Sequence, residues 1–222
     1  MIKPIYIFGA ASLARHALYY ALREQNMRVM GYVVDTEFLQ EDRCVDIPVM
    51  SWEKFLERID PGAVDVFVAI GYKSMRKRAE IYLRVKKAGY NFCNIVSKAA
   101  FIAETATMGN NNIIMPGTVI EPSVVLGSNN VIWSNVTICH DSKIGDHNFF
   151  AANSTIGGEV KVGDGNFFGF SSVVLQQVTI GNETLIGAQA QVRHDTQNLH
   201  RYYGISTKII DPINGSTGIL ID

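Results

Sequence analysis

The stretch TICHDSKIGD, residues 137–146, sets a thiol, an imidazole and a carboxylate side by side as Cys139, His140 and Asp141. An imidazole with its ordinary pKa of about 6.5 can accept a proton at neutral pH, so His140 is a candidate general base. A neighbouring carboxylate can orient the ring and support the imidazolium. Consecutive residues on a flat strand point to opposite faces, so Asp141 can do this only where the chain bends. Plainer roles are open to the same residues: a solvated histidine, an aspartate at a turn and a small packed cysteine. A second candidate is GAASLAR, Gly9 to Arg15, which follows the apolar run IYIF. A glycine turn between a strand and a helix brings backbone N–H groups to a phosphate. This makes Gly9, Ala10, Ser12 and Arg15 candidate ligand contacts, with Ser12 also a candidate helix cap. Asp35, at the end of the next apolar run, could meet a ribose or base, or simply end a strand.

The elements that must hold these residues fall into two halves with different periods. Residues 1–98 alternate strand and helix: IYIFGA, then SLARHALYYALREQ, VMGYVVD, SWEKFLER, VDVFVAI, SMRKRAEIYLRVKKAG and NFCNIVS. That alternation implies a parallel sheet with helical crossovers, a Rossmann-like α/β unit. From residue 101 the period is six. The sixteen units from FIAETA to QVRHDT all carry an apolar second residue, from Ile102 and Met108 to Ile186 and Val192. A period of six without a gap implies short strands joined by turns, three to a triangular coil, stacked as a parallel β-helix. Glycine at half of the third places and asparagine near the unit ends are expected to supply the turn dihedrals. The domains expected are thus 1–98 and 99–222.

Bulk properties narrow the function. A net charge of −1 gives no basic field for nucleic acid or an anionic membrane. The three cysteines, Cys44, Cys93 and Cys139, are scattered without a CxxC, so a disulfide framework is not expected. No run approaches the roughly 20 apolar residues of a membrane span. The N-terminus lacks the long apolar core of a signal peptide. A soluble cytoplasmic protein is expected.

The repeats, the Rossmann-like front and HDSKIGD together resemble the NeuD/PglD group of bacterial sugar acetyltransferases, over nearly the whole length. The resemblance implies a left-handed β-helix, a homotrimer with sites between subunits, and acetyl-CoA or another acyl-CoA as co-substrate. It implies a nucleotide-linked amino-deoxysugar held by the front domain, with surface-glycan synthesis as the setting. His140 would be the base and Asp141 its partner. Gly158, in TIGGEV, would offer a backbone N–H to the carbonyl oxygen as it turns negative. No covalent enzyme intermediate is implied. LIGAQA makes Gly187 and Ala188 candidates for CoA contacts, and Lys208 in the tail a candidate phosphate contact. GYKSMRKR resembles the group's second nucleotide loop, which makes Gly71, Tyr72 and Arg76 candidate substrate contacts. Tyr72 stands where the group usually has Asn.

Other departures bear on the substrate. Trp133 replaces a frequent Asn seven residues before the histidine, so it could stack on a sugar or pack between subunits. Phe149 replaces a histidine found in some members, and the tail YYGISTKII lacks the usual Pro-Ala. Exposed Trp133, Phe149 and Phe170 would leave apolar surface for a trimer to cover. Three rival readings remain. O-acetylation or transfer of a larger acyl group such as hydroxybutyryl would keep the same machinery. A zinc enzyme could use His140, His147 and His194, although the spacing argues against a metal. A non-catalytic binding protein would leave His140 unexplained.

Overall fold

The computed structural model describes residues 3–39 and 47–204. Cys44 and Lys208 lie outside the described residues. In the front half, β1 (Ile5–Phe8), β2 (Val29–Val34), β3 (Val49–Ser51), β4 (Asp65–Val68) and β5 (Asn91–Phe92) form one parallel sheet in the order β3-β2-β1-β4-β5. Helices α1 (Ser12–Arg23), α2 (Trp52–Arg58) and α3 (Met75–Lys87) make the crossovers. α1 buries Leu13, Ala14, Ala17, Leu18 and Ala21, an apolar stripe at helical spacing. Strand β3 has no counterpart among the expected elements. It is three residues long and runs directly into α2, so no alternation marks it. The expected cap of α1 is also displaced. Ala11 is the N-cap, without a side-chain bond, and Ser12 is the first helical residue. α2 and α3 do have serine caps, Ser51 and Ser74.

The expected strand NFCNIVS is two strands. β5 closes the front sheet, while β6 (Ile95–Val96) pairs with Ile113–Ile114 as the first rung of the β-helix. Pairing therefore passes from one half to the other between Phe92 and Ile95, ahead of the 98/99 division. Two-residue strands then recur every six residues on three faces, pairing in parallel with the strand 18 residues on, until Leu185–Ile186 pairs with Arg201–Tyr202 16 residues on. All sixteen second-place residues belong to one internal cluster, Ile114 to Val192 buried and Ile102 and Met108 at the open end partly so. Burying each such side chain contributes about 1.5–3 kcal/mol, set against the conformational freedom lost in ordering its unit.

Turn chemistry differs from the expectation. The left-handed dihedral falls at the fifth place of nearly every unit, and mostly not on glycine: Asn129 (φ 57°), Asn135, Asp141 (φ 58°), His147, Glu159 and Gln177 all adopt it. Third-place glycines are needed for closeness instead. A Cβ on Gly127 would lie 2.6 Å from the Gly145 carbonyl oxygen, and one on Gly145 2.8 Å from that of Gly163. Sixth-place asparagines form an internal ladder, with Asn130, Asn148 and Asn166 each donating a backbone N–H to the amide oxygen 18 residues before.

One face of the prism is covered by the front half. Ile113, Met115, Val131, Phe149 and Ala151 share a buried cluster with Leu13, Ala14, Ala17 and Phe67. A polar relay runs beside it. The Val68 N–H donates to Asn111 Oδ1 at 2.7 Å, and Asn111 Nδ2 donates to the Val68 carbonyl and to Asn129 Oδ1. Asn129 Nδ2 must then donate to His147 Nδ1, 2.8 Å away, so that nitrogen carries no proton. Arg78, fully buried, donates to the carbonyls of His147 and Asn148. Desolvation lowers its pKa to about 9.

Candidate functional site

His140 and Asp141 occupy the fourth and fifth places of their unit, at the corner between two faces. The left-handed dihedral of Asp141 is the bend their pairing requires. It brings Asp141 Oδ2 to 2.9 Å from His140 Nδ1, although the two are consecutive. With Nδ1–H donated to the carboxylate, Nε2 is left as the free acceptor. The His140 pKa is raised, chiefly by the hydrogen bond its Nδ1–H donates to Asp141, with the Asp141, Glu121 and Glu159 charges adding to it. The backbone N–H of His140 donates to Glu121 Oε2 at 2.8 Å.

Gly158 lies one coil on, directly beside the ring. A Cβ there would stand 2.7 Å from His140 Nε2 and 2.8 Å from Cε1, so only glycine leaves room for this imidazole. Gly158 is buried, and its N–H meets no acceptor among the described residues. A buried donor without a partner is costly in a folded protein. Here it belongs to the glycine that faces the base. Cys139 is partly buried, and burial and the Glu121 carboxylate both raise its thiol pKa, which suits packing and not nucleophilic attack.

In the front half a crevice of about 310 Å³ opens at the C-terminal ends of β1, β2 and β4. Of the candidate contacts, Gly9, Ala10, Asp35 and Gly71 line it, together with Ala11 and Lys77 from the same two stretches and with Glu37 and Phe38, which carry no sequence signal. Gly9 has φ 112°, and a Cβ there would be 2.9 Å from the Ala69 carbonyl oxygen, so the turn admits only glycine. The start of α1, with its unpaired N–H groups, opens onto this crevice. Asp35 accepts from Arg84 at 2.5 Å, and the Arg84 guanidinium lies over the rings of Phe8 and Trp52. Arg84 carries no motif that would single it out in the sequence.

Several candidates lie elsewhere. Ser12 and Arg15 are exposed on α1 and are not part of the crevice lining. Tyr72 packs on Phe149 and Phe167, with ring centroids 5.1 and 5.6 Å away, and Arg76 bridges to Glu183 at 2.6 Å. They tie the 71–74 loop and the start of α3 to the β-helix. Trp133 packs against His16 of α1 and against Phe149, and its indole N–H has no acceptor among the described residues. Phe149 is 3% exposed beneath the front half. Of the apolar surface expected for a subunit contact, Phe149 is therefore covered within the same chain and Trp133 partly so, while Phe170, 62% exposed, stays open. Gly187 is buried under Tyr203, whose Cδ1 would be 2.6 Å from an added Cβ, while Ala188 is exposed. Gly187 and Ala188 stand at a different corner of the prism from His140, so one chain does not bring these two sets together. Among the described residues no three His, Cys, Asp or Glu side chains converge as a metal site would need. His147 is at a third corner. No helix among them is long and apolar enough to cross a membrane.

Residues 105–140 and 124–158 match the family described as bacterial transferase hexapeptide (six repeats). No curated protein matches the sequence. Solved structures with the same architecture include the acetyltransferase domain of PglB from Neisseria gonorrhoeae, 20% identical over 91% of this chain and 97% of that one, with a TM-score of 0.81. Another is PerB from Caulobacter crescentus in complex with CoA and GDP-perosamine, 24% identical over 95% and 99%, with a TM-score of 0.82. WeeI from Acinetobacter baumannii is 18% identical over 90% and 96%, with a TM-score of 0.78. The chain thus carries hexapeptide transferase repeats, and its whole architecture, an α/β unit followed by a hexapeptide β-helix, is that of these proteins.

Proposed function

We propose that the protein transfers an acetyl or related acyl group from acyl-CoA to the amine of a nucleotide-linked amino-deoxysugar, in the cytoplasm, as a step in making a surface glycan. The observation that carries this reading is the pairing of His140 with Gly158. A base held by a carboxylate on one nitrogen presents the other beside a glycine whose N–H has no acceptor among the described residues. The likeness to PerB, solved with CoA and GDP-perosamine, supports the choice of substrates. The crevice behind Gly9 and Gly71 would hold the nucleotide.

In this reading His140 Nε2 takes a proton from the amine as its nitrogen attacks the thioester carbonyl. A C–N bond forms, and the carbonyl oxygen, now negative, accepts from the Gly158 N–H. Collapse breaks the C–S bond, and His140 returns the proton to the departing thiolate. Asp141 holds Nδ1–H throughout and stabilises the imidazolium. Ala188, at another corner, would reach the same CoA only from a second copy of the chain, which favours a homotrimer with sites between subunits.

The test is turnover on a panel of UDP-, dTDP- and GDP-linked amino sugars with acetyl- and hydroxybutyryl-CoA, read as thiol release. His140→Ala should lose about 10²–10⁴-fold in kcat/KM while still binding CoA. Undiminished turnover in that variant would remove the base, and thiol release with hydroxyl acceptors alone would replace the amine.

A further inference from the structure

The amide of His140 poses a problem that its neighbours solve in another way. At the opposite edge of the same face, fourth-place amides are satisfied by the fourth-place side chain one coil on. Asn110 N–H donates to Ser128 Oγ, Ser128 N–H to Asp146 Oδ1, Asp146 N–H to Asp164 Oδ1, and Asp164 N–H to Asn182 Oδ1. One coil on from His140 the fourth place is Gly158, which has no side chain to offer. The space that admits the imidazole has cost the backbone its cap. Glu121 supplies the missing acceptor from the opposite direction, the coil before, where Pro122 at the fourth place has no N–H of its own to satisfy.

We propose that Glu121 is a positioning residue for His140, fixing the main chain of the base through its amide and adding a negative charge that strengthens it. This rests on His140 being the base, and it adds a second carboxylate with a different task from that of Asp141. Asp141 grips the ring, whereas Glu121 grips the backbone that carries the ring. The groups around His140 are Cys139 and Asp141 on its own turn, Glu121 from the coil before and Glu159 from the coil after. Lys143 and Lys161 stand on the adjoining face beside Asp141 and Glu159. The carboxylates all favour the protonated ring, in line with the raised pKa of His140. Burial raises the Cys139 thiol pKa, and Glu121 adds to the shift.

Glu121→Gln keeps an oxygen for the amide and removes only the charge. In that variant the His140 ring, followed by NMR against pH, should titrate at lower pH than in the wild type. The acid limb of kcat/KM should move down with it, so that the ratio of turnover at pH 6 to that at pH 8 rises. A filler of space would move neither. An unchanged titration midpoint in a folded Glu121→Gln overturns the proposal. So does free solvent exchange of the His140 amide in the wild-type protein, a measurement that stands even if the variant does not fold. The ring titration needs no substrate. If it shifts while every sugar in the panel stays inert, the positioning role stands and the acyltransferase reading falls.

Discussion

Gly158 shows how much one missing side chain can decide. Its backbone is not in the left-handed region, so alanine is allowed by the dihedrals, but the Cβ would enter the space of His140 Nε2. Gly158→Ala should therefore fold with a thermal midpoint within about 4 °C of the wild type. It should nonetheless lose about 10²-fold or more in kcat/KM, because misplacing a reacting group by about 1 Å costs that much. Full activity in the alanine variant would separate this glycine from the chemistry. His140 and Asp141 were legible as a pair, since adjacent residues of those types declare their chemistry. Whether they touch was not, because that depends on which place in the unit takes the left-handed turn. Glu121 was invisible, since its contact spans 19 residues and follows no motif.

Among the elements, the corner ladder of asparagines ends on a histidine that must stay neutral. The Val68 backbone orients Asn111, Asn111 orients Asn129, and Asn129 presents its N–H₂ to His147 Nδ1. Protonation would set donor against donor, with Arg78 close by. Burial lowers the His147 pKa, with Arg78 adding to this and Asp146 and Asp164 opposing it. Arg76 and Glu183 line the cavity on its open side, and Tyr82 packs on the ring. The unfolded chain then binds more protons than the folded one as pH falls through about 6.5, the value of a free histidine, so stability is full above that pH and is lost below it. His147→Asn preserves an acceptor where Nδ1 stands and suits the positive φ. It should flatten the fall in thermal midpoint between pH 7 and 5, and an equally steep fall would clear His147 of the effect. The apolar second places were readable throughout, because inward side chains repeat without exception. The glycines were assigned the wrong task, because sequence cannot tell a left-handed turn from a close approach between coils.

Taken whole, the molecule divides its three faces among different duties. One is buried under the front half, which is why Phe149, stranded as an apolar residue in the sequence, is internal and Trp133 is partly buried. That outcome could not be read from the chain, since a side chain pointing out of a prism carries no label for what covers it. The remaining apolar exposure includes Phe101, Phe170 and Leu175. With His140 and Ala188 at separate corners, the proposed site needs a second copy. Sedimentation or light scattering should find a homotrimer, and a fully active monomer would dismantle the site between subunits.

The 18-residue register also sets what changes of length this chain can survive. Inserting one coil of eighteen between the front half and His140 would lift the base by a rung and leave it on its own corner. Inserting six would carry it round the prism to another corner, with every buried second place still buried but Phe149 turned away from the front half that covers it. Such an insertion displaces both the site and the covered face, so gains and losses of whole coils are the ones that selection can tolerate.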